Sequence, residues 1–144
     1  MEKNIVAIAS DHAGFKLKTH LLYLLQQDGY NTLDLGTNSD ESVDYPIYAS
    51  KLTAKIENGQ VERGVLICGS GIGISIAANR SPSVRAALCR DADDAEMSRR
   101  HNDANVIALS GSKISVEEAW HLVKLFLNTK FDGGRHARRV NQIS

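Results

Sequence analysis

Five short apolar segments, separated by stretches with helical periodicity, constrain the fold of this chain most strongly. Apolar residues at helical spacing lie between the segments and after the last one, most clearly over 116–127. Strands that are apolar on both faces are typical of a parallel sheet covered by helices. The sequence therefore predicts an α/β protein, a Rossmann-like three-layer sandwich with a five-stranded parallel sheet. The predicted strands are 5–9, 30–35, 65–67, 86–89 and 106–109.

Length, charge and cysteine content narrow the class of protein. The 144 residues fit one domain, expected over 1–144, with a basic C-terminal tail at about 133–144 packing on a partner subunit. Seventeen basic residues balance seventeen acidic ones, so the charge gives no drive toward nucleic acid or membrane lipid. No apolar run approaches the roughly 20 residues that span a bilayer. Two cysteines cannot form a disulfide framework, which predicts a cytoplasmic location.

A glycine-rich run, CGSGIG at 68–73, directly follows the third predicted strand and leads into another apolar stretch. This strand, turn and helix order presents backbone N–H groups at a helix N-terminus, which is a ready site for an anion. Cys68 stands at the entrance of the turn, where a helix N-terminus stabilises a thiolate. The segment therefore offers a candidate base beside a cradle for negative charge.

Other interpretations of the glycine run stay open from the residues alone. As a dinucleotide fingerprint it is incomplete, because Ile74 occupies the place of the last glycine and the run follows the third strand, not the first. A tight turn without a ligand is a second alternative, in which Cys68 is a small core residue. Cys89 lies inside a predicted strand and is interpreted as part of the core.

Further polar groups lie at the strand ends. Asp11 and His12 directly follow the first strand, at the sheet edge where ligands bind in such folds. The alternative for this pair is a helix cap and a surface imidazole. The segment 101–103, His-Asn-Asp, precedes the fifth strand and is therefore expected at the opposite edge. A second subunit could bring it to the site, which predicts a dimer.

The C-terminal tail carries a cluster of basic residues. Arg135 and Arg139 are four positions apart, so on a helix they share a face and can grip one phosphate. A solvated basic tail is the alternative. The sequence has no HxxxH, no CxxC and no carboxylates clustered at ligand spacing, so no metal site is predicted. Ser70 lacks the pattern around a hydrolase nucleophile.

Taken together, five ordered motifs resemble the type B ribose-5-phosphate isomerase family, nearly end to end. The wider family includes isomerases of allose 6-phosphate and galactose 6-phosphate. The motifs are SDHAG at 10–14, DYP at 44–46, CGSGIG at 68–73, SRRHNDAN at 98–105 and GGRH at 133–136.

The resemblance implies an aldose–ketose isomerase that converts ribose 5-phosphate to ribulose 5-phosphate through a cis-enediolate, with no cofactor and no metal. It implies that Cys68 is the base, that His101 protonates the ring oxygen, and that Asp11 handles the anomeric hydroxyl proton. Ser70 would move a proton or hydrogen-bond the sugar oxygens. The remaining implied substrate contacts are His12, Tyr45, Gly69, Gly71, Ile72, Gly73, Asn102, Lys113, Arg135 and Arg139.

Within that implied set, the amides of 69–73 would stabilise the enediolate, and His12, Arg135 and Arg139 would hold the phosphate. His101 and Asn102 would come from a second copy in a homodimer or a dimer of dimers with shared active sites. Lys113 departs from the family, in which many members carry arginine, and lysine lacks the bidentate fork.

Ser70 is a second, milder departure, since it replaces a threonine that is common in relatives. Two other functions stay open from the sequence. One is an isomerase of a six-carbon sugar phosphate, and the other is a non-catalytic module that binds an anion or nucleotide.

Overall fold

A sheet of five parallel strands forms the centre of the molecule, as predicted. The computed structural model describes residues 5–143, so residues 1–4 and 144 of the predicted domain lie outside the described range. The strands lie in the order β2-β1-β3-β5-β4, with β3 in the middle. Their bounds are β1 (Ile5–Ser10), β2 (Asn31–Asp34), β3 (Arg63–Cys68), β4 (Ala86–Leu88) and β5 (Val106–Ser110).

Six α-helices accompany the sheet within the described range. They are α1 (Phe15–Gln27), α2 (Tyr45–Glu57), α3 (Ile72–Ala78), α4 (Ala92–Arg100), α5 (Val116–Asn128) and α6 (Arg135–Ile143). The basic tail forms α6, in which Arg135 and Arg139 are four positions apart. None of the helices in this range combines the length and the apolar character needed to cross a membrane.

The core has two halves, one on each face of the sheet. Alternation along β1 sends Val6 and Ile8 to the face covered by α1, α4 and α5, and sends Ala7 and Ala9 to the face covered by α2 and α3. Phe126 of α5 is fully buried in the first half, which contributes roughly 2–3 kcal/mol. The two covered faces explain why the central strands β1, β3 and β5 are mostly apolar and buried, whereas the edge strand β2 is mostly polar and more exposed.

The strand register brings the carboxyl ends of β1, β3 and β5 to one level. Ser10 pairs with Ile67, and Cys68 pairs with Ser110. Hydrogen bonds continue past the strands: the Asp11 amide donates to the Ile67 carbonyl at 3.2 Å, and the Gly111 amide donates to the Cys68 carbonyl at 2.8 Å. The loops after these three strands therefore meet at one edge of the sheet.

Candidate active site

Asp11 begins a tight 3₁₀ turn, His12–Gly14, directly after β1. Its Oδ1 accepts hydrogen bonds from the amides of Ala13 at 3.0 Å and Gly14 at 3.2 Å, so the carboxylate is buried and fixed. A Cβ at Gly14 would lie 2.6 Å from the Ile67 side chain, so only glycine lets the turn pack this closely on β3. Asp11 is thus a cap, and its Oδ2 makes no hydrogen bond within residues 5–143.

His12 is held by the loop that precedes α2. Its Nδ1 accepts a hydrogen bond from the Val43 amide at 3.1 Å. Since Nδ1 is an acceptor, the neutral ring carries its proton on Nε2. His12 therefore offers an N–H donor on the side of the ring away from Val43.

The glycine-rich run forms the turn between β3 and α3. Cys68 is only 4% exposed, and its Sγ accepts a hydrogen bond from the Gly71 amide at 3.2 Å. The Gly71 amide therefore fixes the position of the sulfur at the start of the turn, directly before α3.

Ser70 and its neighbouring amides complete the turn. The Ser70 Oγ accepts a hydrogen bond from the Ile72 amide at 3.1 Å, which leaves its hydroxyl hydrogen free to donate. Within residues 5–143 the amides of Gly69 and Ser70 have no hydrogen-bond acceptor. The turn therefore presents donors beside a buried sulfur.

Tyr45, at the start of α2, lies directly over the same turn. A Cβ built on Gly73 would lie 2.6 Å from Cζ and 2.8 Å from the hydroxyl oxygen of Tyr45. The ring is 38% exposed, so it covers the turn from the solvent side. Gly73 is needed here for close approach of the ring, and not for backbone conformation.

A cavity of about 170 Å³ lies beside the turn, toward β4. Its wall combines the hydroxyls of Ser70 and Ser110 with two cationic side chains, Arg90 and Lys113. Arg90 was not among the predicted site residues, although it directly follows a predicted strand, as Asp11 does, and therefore lies at the ligand-binding edge of the sheet.

Cys89 adds part of the apolar wall of this cavity. It is buried in the core cluster with Ala95 and Leu109, as expected. Burial raises the pKa of its thiol to about 12. The two cysteines therefore differ in surroundings: an amide donates to Cys68, whereas Cys89 is kept neutral.

The 101–103 segment lies at the opposite edge of the sheet, as predicted. Arg85 fixes it by donating to the carbonyls of Asn102 at 3.0 Å and Asp103 at 2.8 Å. Asp103 has a left-handed backbone, with φ of 47°, and its carboxylate binds the buried Arg99 at 2.8 Å. Two arginines therefore hold this turn rigidly, and neither was predicted.

α6 places further groups next to this turn. The rings of His101 and His136 stack with centroids 4.1 Å apart and planes 10° apart. Asp132 binds Arg100 at 3.2 Å beside them. Partial burial, and then the charges of His101, Arg135 and Arg139, lower the pKa of His136, whereas Asp132 opposes the shift. Arg135 and Arg139 therefore belong to the His101 edge of the chain.

His101, Asp132 and His136 also bring potential metal-ligating atoms within 4.8 Å of one another. Motif spacing could not reveal this cluster, because its members come from three separate segments. A shared ion would have to lie near the plane of each ring, and stacked parallel planes have no such common point. The observed orientation fits ring stacking and does not fit coordination.

The predicted site residues therefore fall into two groups within one chain. β5 separates the two edges, and its five residues span about 16 Å. No side chain bridges that distance, so one chain alone does not bring His101 to Cys68. One edge carries Asp11, His12, Tyr45, Cys68, Gly69, Ser70, Gly71, Ile72, Gly73 and Lys113, and the other carries His101, Asn102, Arg135 and Arg139.

Comparison with known proteins finds one family over almost the whole chain. The sequence model of a family described as Ribose/Galactose Isomerase matches residues 6–143. Among curated relatives, ribose-5-phosphate isomerase B of Escherichia coli is 42% identical over 139 residues, covering 96% of this chain and 93% of that protein. A putative sugar phosphate isomerase of Rickettsia typhi is 44% identical over 138 residues, covering 96% of each chain.

A solved structure shares the fold closely. The crystal structure of a ribose 5-phosphate isomerase from Thermotoga maritima superimposes with a TM-score of 0.95 at 49% sequence identity, covering 96% of each chain. The similarity is therefore one of sequence and of architecture together, and it extends across both groups of site residues.

Proposed function

The chain belongs to the Ribose/Galactose Isomerase family, and from that membership we propose that it interconverts ribose 5-phosphate and ribulose 5-phosphate. The reaction is an aldose–ketose isomerisation through a cis-enediolate. The observation that carries the proposal is the buried sulfur of Cys68, which accepts the Gly71 amide next to the Asp11 turn. A base, a neighbouring carboxylate and free amides together suit proton transfer at a carbon next to a carbonyl.

The first step opens the sugar ring. Asp11 takes the proton of the anomeric hydroxyl through its unpaired Oδ2, while His101 of a second copy gives a proton to the ring oxygen. The bond between C1 and the ring oxygen breaks, and C1 becomes an aldehyde. The fixed turn around Asp11 supports this role, because the carboxylate cannot rotate without losing two amide hydrogen bonds.

The second step moves one proton between carbons. The Cys68 thiolate removes the proton from C2, and the electron pair passes through the C1–C2 bond to the aldehyde oxygen, which gives the enediolate. The amides of Gly69 and Ser70 stabilise the new negative charge, as an oxyanion hole does. The thiol then returns the proton to C1, and the Ser70 hydroxyl supports the proton transfer between O2 and O1.

The phosphate contributes binding energy remote from the reacting carbons. His12 Nε2, together with Arg135 and Arg139 of a second copy, would hold it, and Tyr45 and Asn102 would contact the sugar. Lys113 adds a positive charge at the rim of the neighbouring cavity. The proposal therefore needs cations from both edges of the sheet at one phosphate.

The separation of the two groups supports a homodimer, or a dimer of dimers, with active sites shared between copies. If His101 and Arg135 act at Cys68, a second copy supplies them, because β5 spans about 16 Å between the two edges. A cytoplasmic location is part of the proposal and is supported by the unpaired thiols of Cys68 and Cys89.

The proposal is tested with two variants of Cys68. Cys68→Ala and Cys68→Ser should each reduce turnover of ribose 5-phosphate by about 10³-fold or more, since general acid–base groups contribute about 10²–10⁴-fold and alanine leaves no base. Binding of the substrate, measured by calorimetry, should survive. Cys89→Ala is the matched control for loss of a buried thiol and should retain turnover. Near-normal turnover by Cys68→Ala would exclude the thiol base.

The substrate is tested by assaying ribose 5-phosphate, allose 6-phosphate and galactose 6-phosphate at one enzyme concentration. We expect the highest kcat/KM on ribose 5-phosphate. A higher kcat/KM on either six-carbon sugar would correct the substrate and leave the isomerase chemistry in place. Nucleotide binding without turnover of any sugar would overturn the proposal.

A further inference from the structure

His136 has no assigned part in the reaction, although its ring touches the group that opens the sugar ring. The two imidazoles stack at 4.1 Å with planes only 10° apart. His101 is the C-terminal cap of α4, and His136 lies in the first turn of α6, so the contact joins two separate elements. The His101 amide donates to the Met97 carbonyl at 2.9 Å, and this backbone hydrogen bond to α4 does not fix the ring.

We propose that His136 is a positioning residue: its stacked ring holds His101 in the orientation that delivers a proton to the ring oxygen of the sugar. This inference rests on the proposed function. A proton donor must lie within hydrogen-bond reach and in line with its acceptor, and a misplacement of about 1 Å can cost about 10²-fold in rate. A planar neighbour 4.1 Å away removes the freedom of the His101 ring to tilt.

The surroundings of His136 favour its neutral form. Partial burial and the positive groups His101, Arg135 and Arg139 lower the pKa of His136, and Asp132 is the acidic group that faces the pair. Arg100 also lies near, held by Asp132 and by Glu96. A neutral His136 stacks on the His101 ring without adding a second positive charge beside it.

The same contact links catalysis to the C-terminal helix. Asp132 anchors the segment that leads into α6, since its amide donates to the Arg100 carbonyl and its carboxylate binds the Arg100 guanidinium. A movement of α6 would therefore change the contact between His136 and the His101 ring. The phosphate-binding candidates Arg135 and Arg139 lie on that helix, so phosphate capture and orientation of the acid share one element.

The test compares His136→Ala with His136→Phe, and uses His20→Ala, an exposed histidine of α1, as the control. His136→Ala should lower kcat/KM on ribose 5-phosphate about tenfold, because the acid stays present but is poorly aimed. His136→Phe keeps a planar ring stacked on His101 and should recover at least half of the loss in log kcat/KM that His136→Ala causes. His20→Ala should match the parent.

A second measurement separates ring opening from enolisation. Ribulose 5-phosphate is acyclic, because its 5-hydroxyl is phosphorylated, so exchange of its C1 proton with deuterated water needs Cys68 but no ring opening. The exchange rate should stay within about twofold of the parent in His136→Ala. Circular dichroism and thermal melting identify any variant that fails to fold. If His136→Ala does not fold, the comparison is made between His136→Phe and the parent.

The outcomes are distinct. Equal losses of isomerisation and exchange in His136→Ala, or no rescue by His136→Phe, would overturn the positioning role. Unchanged kcat/KM in His136→Ala would do the same. If the parent protein shows neither isomerisation nor exchange, the proposed function itself fails, whatever the His136 variants show.

Discussion

Replacing Gly71 by alanine tests the turn on which the proposed chemistry depends. Gly71 has a φ of 78°, which L residues adopt at a cost of about 1–2 kcal/mol. A Cβ there would also lie 2.6 Å from Leu88 Cδ1 and 3.0 Å from the carbonyl carbon of Leu109. The Leu88 side chain can shift, but the Leu109 backbone belongs to the buried strand β5. This overlap adds about 1–3 kcal/mol.

Gly59 supplies a matched control for the backbone cost. Its φ is 80°, and a Cβ there would meet nothing within 4 Å. Gly59→Ala should therefore lower the free energy of unfolding by only about 1–2 kcal/mol. Gly71→Ala should lower it by about 2–5 kcal/mol in total, so that the difference between the two variants measures the overlap with Leu88 and Leu109.

The assay is urea unfolding followed by circular dichroism, with kcat measured on the folded protein. A difference of about 2 kcal/mol moves the urea midpoint by roughly 1 M for a domain of this size. Gly71→Ala should also lower kcat, because the strained turn moves the amide that donates to Cys68 Sγ. Gly59→Ala should keep the parent kcat. Equal destabilisation by both variants, or full turnover by Gly71→Ala, would refute the reasoning.

Three further predictions follow from individual contacts. Gly73→Ala should change the unfolding free energy by less than about 1 kcal/mol, because the higher helix propensity of alanine offsets a clash that the exposed Tyr45 ring relieves by rotating. The displaced ring should raise KM. A large loss of stability on urea unfolding would contradict this prediction. Burial raises the pKa of Cys89 to about 12, so the folded state keeps the neutral thiol while the unfolded chain ionises. Stability should therefore fall above about pH 9, by roughly 1.4 kcal/mol per pH unit, and unfolding titrations of Cys89→Ala should lack this component. Asp103→Ala should lower the free energy of unfolding by roughly 2–4 kcal/mol in chemical denaturation, because it leaves the buried Arg99 guanidinium without its carboxylate and places alanine at a φ of 47°. A loss below about 1 kcal/mol would argue against a stabilising ion pair.

The elements of the fold could be predicted from local pattern, because each apolar strand and each helical face carries its own period. The predicted strand at 106–109 corresponds to Val106–Ser110, and the long amphipathic helix at 116–127 corresponds to Val116–Asn128. Its start is also a local feature, since Ser115 and Glu118 form a reciprocal capping box. The sequence left open whether the basic tail is a helix, because Arg138 and Asn141 give it little apolar signal; the structure shows that it forms α6.

The residues at the strand ends of the candidate site were equally accessible from the sequence. Asp11 and Cys68 directly follow strands, and parallel strands end at a common edge. Arg90 obeys the same rule and was overlooked. Arg85, Asp132 and His136 could not be found this way, because their roles come from contacts with Arg100 and the 101–103 turn, which lie far from all three in sequence.

The sequence by itself determined which segments become strands and helices, and that Asp11 and Cys68 lie at one edge while His101 lies at the other. Those features depend on local periodicity and on chain direction in a parallel sheet. The tertiary structure decided that β5 enters the sheet beside β3, so that Gly111 bonds Cys68, and that α6 folds back until His136 stacks on His101. Such contacts depend on how distant segments pack, and no local preference of either partner encodes them.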